Sequence, residues 1–126
     1  MDHSRTTTLK TVFDAVTIAA NETDYSDIIP ISKLAGNASL QIVVTGDGTA
    51  KIEWVGSNNR SAAVADFIKP NNANDIVTAF TKTYGPGGDG KHIYPFSISL
   101  VDRIAIKVTN TSATDAIVVT GILAIQ

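Results

Sequence analysis

The feature that most constrains this chain is its punctuation. Polar or Gly/Pro-containing breaks stand at Asn21–Asp24, Gly36–Asn37, Gly46–Gly48, Ser57–Arg60, Pro70–Asn72, Tyr84–Lys91 and Asn110–Thr114. The runs between them are short and rich in Val, Ile, Thr and aromatic residues, which favour strands. Nowhere do apolar residues recur at a sustained helical period. Turn signals at roughly eight- to twelve-residue spacing point to an all-β fold: an antiparallel β-sandwich, jelly-roll-like, with about eight strands.

The chain has 126 residues, the size of one domain and enough to bury a core without staples. Residues 1–8 read M-D-H-S-R-T-T-T, polar and without period, and are expected to form a flexible N-terminal arm. Residues 9–126 are expected to form a single β-sandwich domain. Leu9–Ala20 reads as a strand. Tyr25–Leu34 carries Pro30, which cannot donate to a ladder and marks an edge strand. Leu40, Ile42 and Val44 alternate with polar neighbours before Gly46–Asp47–Gly48, and Ile52 and Trp54 share a face after it. Asp-Gly is a strong turn dipeptide, so Ser39–Glu53 is expected to be a hairpin. Ser61–Lys69 suits either a short helix or a strand. Ile76–Thr83 reads as a strand, and Gly85–Gly90 as a mobile surface loop. Tyr94, Phe96, Ile98 and Leu100 share one parity, and Pro95 on the other suggests an edge or a bulge. Arg103–Thr109 alternates cleanly, with Ile104, Ile106 and Val108 inward and Arg103, Ala105 and Lys107 outward.

The last run, D-A-I-V-V-T-G-I-L-A-I-Q from Asp115 to Gln126, is apolar on both parities. Ile117, Val119, Leu123 and Ile125 share one face, and Ala116, Val118, Ile122 and Ala124 the other. A half-exposed strand alternates apolar with polar, so this strand calls for cover on both sides. It is expected to pair with Arg103–Thr109 through the Asn110–Thr114 turn. Its outer face then lies beside wet Arg103 and Lys107, and Lys51, Glu53, Arg103 and Lys107 are read as a solvated sheet face. The residues expected at an oligomer interface are Val118, Ile122, Ala124 and Ile125, covered by a neighbouring subunit or by the N-terminal arm.

Composition narrows the function. Ten basic residues against twelve acidic ones give a net charge of −2, and the basic residues are scattered, so nucleic acid is not an expected partner. Charged residues are 17% of the chain, below the usual quarter or so of soluble domains, which suits surface committed to contacts and equally a plain sandwich rich in Thr, Ser and Asn. The absence of cysteine excludes disulfides and thiolate chemistry. No apolar stretch follows Met1, so no secretory signal is expected, and no apolar run nears the ~18 residues that span a bilayer. The expected site of synthesis is a cytoplasm, and no membrane partner is expected.

No residue set carries recognisable catalysis, so the chain is read as not an enzyme. His3 and His92 are far apart and outside any H-E-x-x-H motif, and no metal or cofactor is expected. No serine lies in G-x-S-x-G, and Ser57 reads as a loop residue. Asp47, Asp89 and the Asn21–Asp24 cluster lack a calcium-loop pattern and read as turn residues. Gly85–Gly90 lacks the G-K-[ST] of a phosphate loop. Trp54 is in phase with Ile52 and reads as core. Among Tyr25, Tyr84 and Tyr94, Tyr84 beside the glycine loop is the expected ligand-facing aromatic, for a glycan.

Two segments carry a resemblance: S-L-Q-I-V-V-T-G-D-G-T-A-K-I-E-W-V-G-S-N-N, and V-D-R-I-A-I-K-V-T-N-T-S-A-T-D-A-I-V-V-T-G-I-L-A-I-Q. Together they resemble small bacteriophage virion structural proteins of jelly-roll or β-sandwich type, over about residues 9–126. The resemblance implies location in a virion, self-association as a homo-oligomer and contact with other virion proteins, as capsid decoration or a fibre component, or next a tail or neck component. The W-V-G-S-N-N ending also resembles jelly-roll carbohydrate-binding modules, which implies host or glycan recognition instead.

Overall fold

The computed structural model describes residues 7–31, 36–70, 75–98 and 101–126. Nine strands appear among them: β1 Thr8–Ile18, β2 Thr23–Tyr25, β3 Ile29–Pro30, β4 Asn37–Thr45, β5 Ala50–Ser57, β6 Val77–Phe80, β7 Lys91–Ser97, β8 Arg103–Asn110 and β9 Ile117–Ile125. They form two antiparallel sheets, one ordered β1-β9-β4-β7 (sheet A) and one ordered β2-β8-β5-β6 with β3 also on β8 (sheet B). The fold is the expected jelly-roll-like sandwich. Of the arm expected over residues 1–8, residues 1–6 lie outside the described residues, and Thr8 opens β1.

Alternation assigns the core. Leu40, Ile42 and Val44 of β4, Ile52 and Trp54 of β5, and Ile104, Ile106 and Val108 of β8 all point between the sheets and are buried. From β9, Ile117, Val119, Leu123 and Ile125 join the same cluster, with Phe13 and Phe80 filling the centre. The two prolines within strands sit where their missing N–H does least harm. Pro30 is in the two-residue β3 at the margin of sheet B, and Pro95 is in β7, the edge of sheet A. Leu100, expected on the inner face, lies outside the described residues.

The expected hairpin over Ser39–Glu53 is not formed. β4 pairs with β7 and β9, whereas β5 pairs with β6 and β8. Gly46–Asp47–Gly48 is therefore an arch that carries the chain from sheet A to sheet B. The same correction applies to β8 and β9, which lie in opposite sheets and are joined by a second arch over residues 111–116. Strand alternation is satisfied equally by a hairpin and by an arch, because both put one parity into the core. The glycines show why an arch wins. A Cβ on Gly46 would stand 2.6 Å from the Ala116 carbonyl oxygen, and one on Gly48 would stand 2.6 Å from that of Asp115. Both glycines thus serve the close approach of the two arches, and Gly48 N donates to Ala116 O at 3.3 Å.

Asn110, fully buried at the end of β8, locks these arches together. Its Nδ2 donates to Ile18 O at 3.0 Å and Asp115 O at 2.7 Å. Its Oδ1 accepts from Ser112 N at 3.1 Å and Thr49 N at 3.4 Å. Two carbonyls on one side and two N–H groups on the other make a buried amide the matching side chain.

The outer face of sheet B is covered by its own chain. Past β5, the loop forms a 3-10 turn over Val64–Asp66 and returns to bridge Ile68 with Gly56, through two bonds of 2.9 Å. Phe67 packs there on Val55 and Ala105 in a second apolar cluster. The solvated face expected at Lys51, Glu53, Arg103 and Lys107 is therefore corrected at Glu53 and Arg103, while Lys51 and Lys107 stay partly exposed. Glu53 is buried, with its carboxylate 3.2 Å from Lys69 Nζ, and Arg103 is held 3.1 Å from Asp102. Lys107 sits 5.9 Å from the Tyr25 ring centroid. Loop return is a long-range event that the alternation of β5 and β8 does not encode.

Candidate functional site

Sheet A has no such cover among the described residues. Residues directly opposite in neighbouring strands share a face, so the register reads out its outer surface row by row. One row runs Thr11, Ile122, Gln41, Ile93; the next runs Leu9, Ala124, Ser39, Pro95. Thr120, Val43 and Lys91 form a third, and Thr17, Val118 and Thr45 a fourth. Lys91 is the one charge in these rows. The face is built largely from aliphatic, Thr, Ser and Gln side chains, and its two central strands, β4 and β9, contain no charged residue at all.

Three of the large apolar side chains that remain exposed fall on this face: Leu9 at 70%, Ile93 at 53% and Ile122 at 37%. Two dips open on this sheet. One, of about 270 Å³, is lined by Ser39, Ala124 and Gln126 near the end of β9. A second open groove, about 530 Å³, runs along β4 and β7 past Gln41, Val43, Ile93 and Pro86. Isolated exposed apolar residues are normal, but a clustered set on a charge-poor surface is the mark of a contact site.

The four residues expected at an interface are divided by the fold. Val118, Ile122 and Ala124 are on the outer face of sheet A, partly exposed. Ile125 is on the other parity and only 3% exposed within the core, so it is corrected to a core residue. The wet neighbour expected for β9, the Arg103–Thr109 strand, is β8 and belongs to the other sheet. The true neighbours of β9 are β1 and β4, whose outward residues paired with it are uncharged, while Asp14 stands exposed in the irregular part of β1. Leu9 and Ile93, which complete the apolar surface, were missed because their strands look amphipathic in isolation.

Tyr84 stands at the end of an aromatic row. It is 49% exposed, and its ring meets Phe80 edge-on at 6.1 Å between centroids. Phe80 meets Tyr94 at 5.9 Å, and Tyr94 meets His92 at 4.3 Å. Burial first, then the nearby Tyr84 phenol, push the Tyr94 hydroxyl above its ordinary range. The adjoining glycine segment is tied into turns: Gly90 N donates to Tyr84 O at 2.8 Å, and Gly90 O accepts from Val44 N at 3.0 Å. Trp54 is core, as expected.

Of the acidic candidates, Asp47 is engaged elsewhere. Asp47 is ion-paired with Lys82, whose hydrogen bond holds its carboxyl below the usual carboxylate range. Asp102 is likewise held low, by hydrogen bonds from Arg60 and then Arg103. Among the described residues no three His, Asp or Glu side chains gather as a metal site, and His3 lies outside those residues.

No family model and no curated protein matches this chain. Solved structures do. A chain in the structure of infectious bursal disease virus, Gx strain, is 13% identical with a TM-score of 0.51, over 95% of this chain and 31% of that one; this chain thus spans about a third of its length. The SPBc2 prophage-derived protein YomS is 15% identical with a TM-score of 0.42, over 94% and 93% of the two chains. A family 6 carbohydrate-binding module is 13% identical with a TM-score of 0.41, over 94% and 86%. At 13% identity the likeness to the virus chain is one of fold, and the strand order of the two sheets is that of a jelly-roll-type β-sandwich.

Proposed function

We propose that this chain is a structural protein of a bacteriophage particle that works by burying the outer face of sheet A against another subunit, as capsid decoration or a fibre component, or next a tail or neck component. The observation that carries the reading is the contrast between the two sheets. The centre of sheet B's outer face is covered by its own loop, whereas sheet A leaves a clustered, nearly uncharged surface around Ile122. Likeness of fold to a chain of a virus structure supports the particle setting. Virion proteins and a second copy of the chain are the expected partners.

The size of the face suits the role. With ~4.8 Å between strands and ~3.4 Å per residue, four strands around two nine-residue central ones offer roughly 600 Å². Two such faces bury about 1,200 Å² in total, at the lower end of specific interfaces. Native mass spectrometry and sedimentation of the full chain test this, alongside a variant lacking residues 1–8 and Ile122→Lys. The reading expects an oligomer that Ile122→Lys dissociates without unfolding. A full chain monomeric at ~100 µM, far above the micromolar regime of weak specific contacts, counts against self-association.

A second reading, glycan recognition, is favoured by half-exposed Tyr84. Glycan-array binding that disappears in Tyr84→Ala would support it.

A further inference from the structure

The self-association proposed above leaves open which surfaces meet, and the strand edges bear on that. β-Sandwiches assemble in two ways: by adding strand to strand at an edge, or by laying one sheet face on another. An edge that pairs with a second copy must be long, regular and able to donate all along its length. In sheet A the edges are β1 and β7. β1 is long but broken, with register shifts between Thr11 and Phe13 and between Phe13 and Val16. Ala15 within it takes a left-handed φ of 49°, and its N–H turns to Thr120 Oγ1 at 3.2 Å. β7 carries Pro95 in its middle. In sheet B the margins are the four-residue β6 on one side and the two- and three-residue β3 and β2 on the other. Each edge thus carries a recognised device against strand addition. The outer face of sheet B is closed by the Phe67 loop.

We infer that two copies of this chain stack sheet A on sheet A, face to face, with Ile122 and the β9–β4 pair at the centre of the contact and Lys91 at its rim. This inference rests on the self-association reading and adds its geometry. Like faces are compatible because the surface has almost no charge to repel its own copy. Lys91, at the β7 side, stays hydrated at the margin. Projecting Ile122 lies one row from Ser39 and Ala124, small residues that help line a dip near the end of β9, so a two-fold stack offers each copy a knob and a hollow. An isologous contact of this kind closes at the dimer instead of growing into fibres.

The chain has no cysteine, so single introduced thiols report the geometry without background. Ile122→Cys and Val43→Cys mark the centre of the sheet A face, Asp14→Cys marks the irregular β1 edge, and Lys51→Cys marks the outer side of sheet B. Each full-length variant is treated with a short bis-maleimide, and its oligomeric state is measured by sedimentation. The expected result is an oligomer in all four, with efficient dimer cross-linking at residues 122 and 43 and at least tenfold less at 14 and 51. An oligomer that cross-links through residue 14 or 51 instead overturns the stacking and leaves self-association standing. A wild-type chain that sediments as a monomer overturns both. Where Ile122→Cys itself weakens the oligomer, Val43→Cys at the neighbouring row carries the measurement.

Discussion

Replacing Asn110 should be among the most destabilising single polar changes in this molecule, although the residue lies in no proposed interface. Its side chain makes four hydrogen bonds, to the end of β1, to the first arch and to both sides of the second. Each intramolecular bond contributes a net ~1 kcal/mol, and leaving a buried partner unsatisfied costs about 1–3 kcal/mol. The 3.4 Å bond to Thr49 N is weak, and Ser112 and Asp115 lie near solvent that can replace part of what they lose. Asn110→Ala should therefore cost on the order of 3 kcal/mol, a large share of the ~5–15 kcal/mol that holds a domain folded. At about 4 °C per kcal/mol for a domain of this size, the melting point should fall by roughly 12 °C. Urea unfolding followed by the fluorescence of Trp54, the single tryptophan, measures it directly. Asn110→Asp sharpens the test, since a carboxylate would face the Ile18 and Asp115 carbonyl oxygens where the amide donated. At neutral pH it should be at least as damaging as alanine. Relative to wild type at the same pH, it should recover on acidification, when the protonated acid can donate once. A loss below about 1 kcal/mol for Asn110→Ala, with an unchanged urea slope, would refute the idea that this amide locks the arches.

Other outcomes follow from the same structure. Phe67→Ala should cost about 2–3 kcal/mol, less than a deep-core aromatic, and should make the 58–70 loop sensitive to protease while leaving the sedimentation of the oligomer unchanged. Gly46 has a φ of 89° and no room for a Cβ beside Ala116 O, so Gly46→Ala should destabilise by about 2 kcal/mol or more, read as a shifted urea midpoint. Asp75 and Asp102 have carboxyls held low, chiefly by hydrogen bonds from Lys69 and from Arg60 respectively. Their contribution is complete above the unfolded carboxylate value near ~3.9 and is lost as pH falls through the lower folded values. The urea midpoint of wild type should drop below about pH 4, and Asp102→Asn should shrink that drop.

Much of the fold is legible in residue pattern. Alternation in 40–44, 52–54, 104–108 and 117–125 names the core correctly, because a pleated strand has no choice about which parity it buries. Pro30 and Pro95 mark edges for an equally local reason, the missing N–H. What alternation leaves open is partner identity. Gly46–Asp47–Gly48 and Asn110–Thr114 look like hairpin turns, and both are arches, because the same inward parity serves a strand beside its predecessor or one facing it across the core.

That ambiguity governed the reading of the candidate surface. The doubly apolar last strand is a property of Asp115–Gln126 alone, and its parity puts Val118, Ile122 and Ala124 on the outer face, where they stay partly exposed. Ile125 belongs to the other parity and to the core. Whether the rest of that face was wet or apolar depended on its neighbours, β1 and β4, which lie far away along the chain. Leu9 and Ile93 join Ile122 through strand register, and Phe67 seals the opposite sheet through a returning loop. Burial parity is a local consequence of backbone geometry and is written in the residues themselves; the make-up of a surface is a sum over strands brought together by folding, and it exists only once the sheets are assembled.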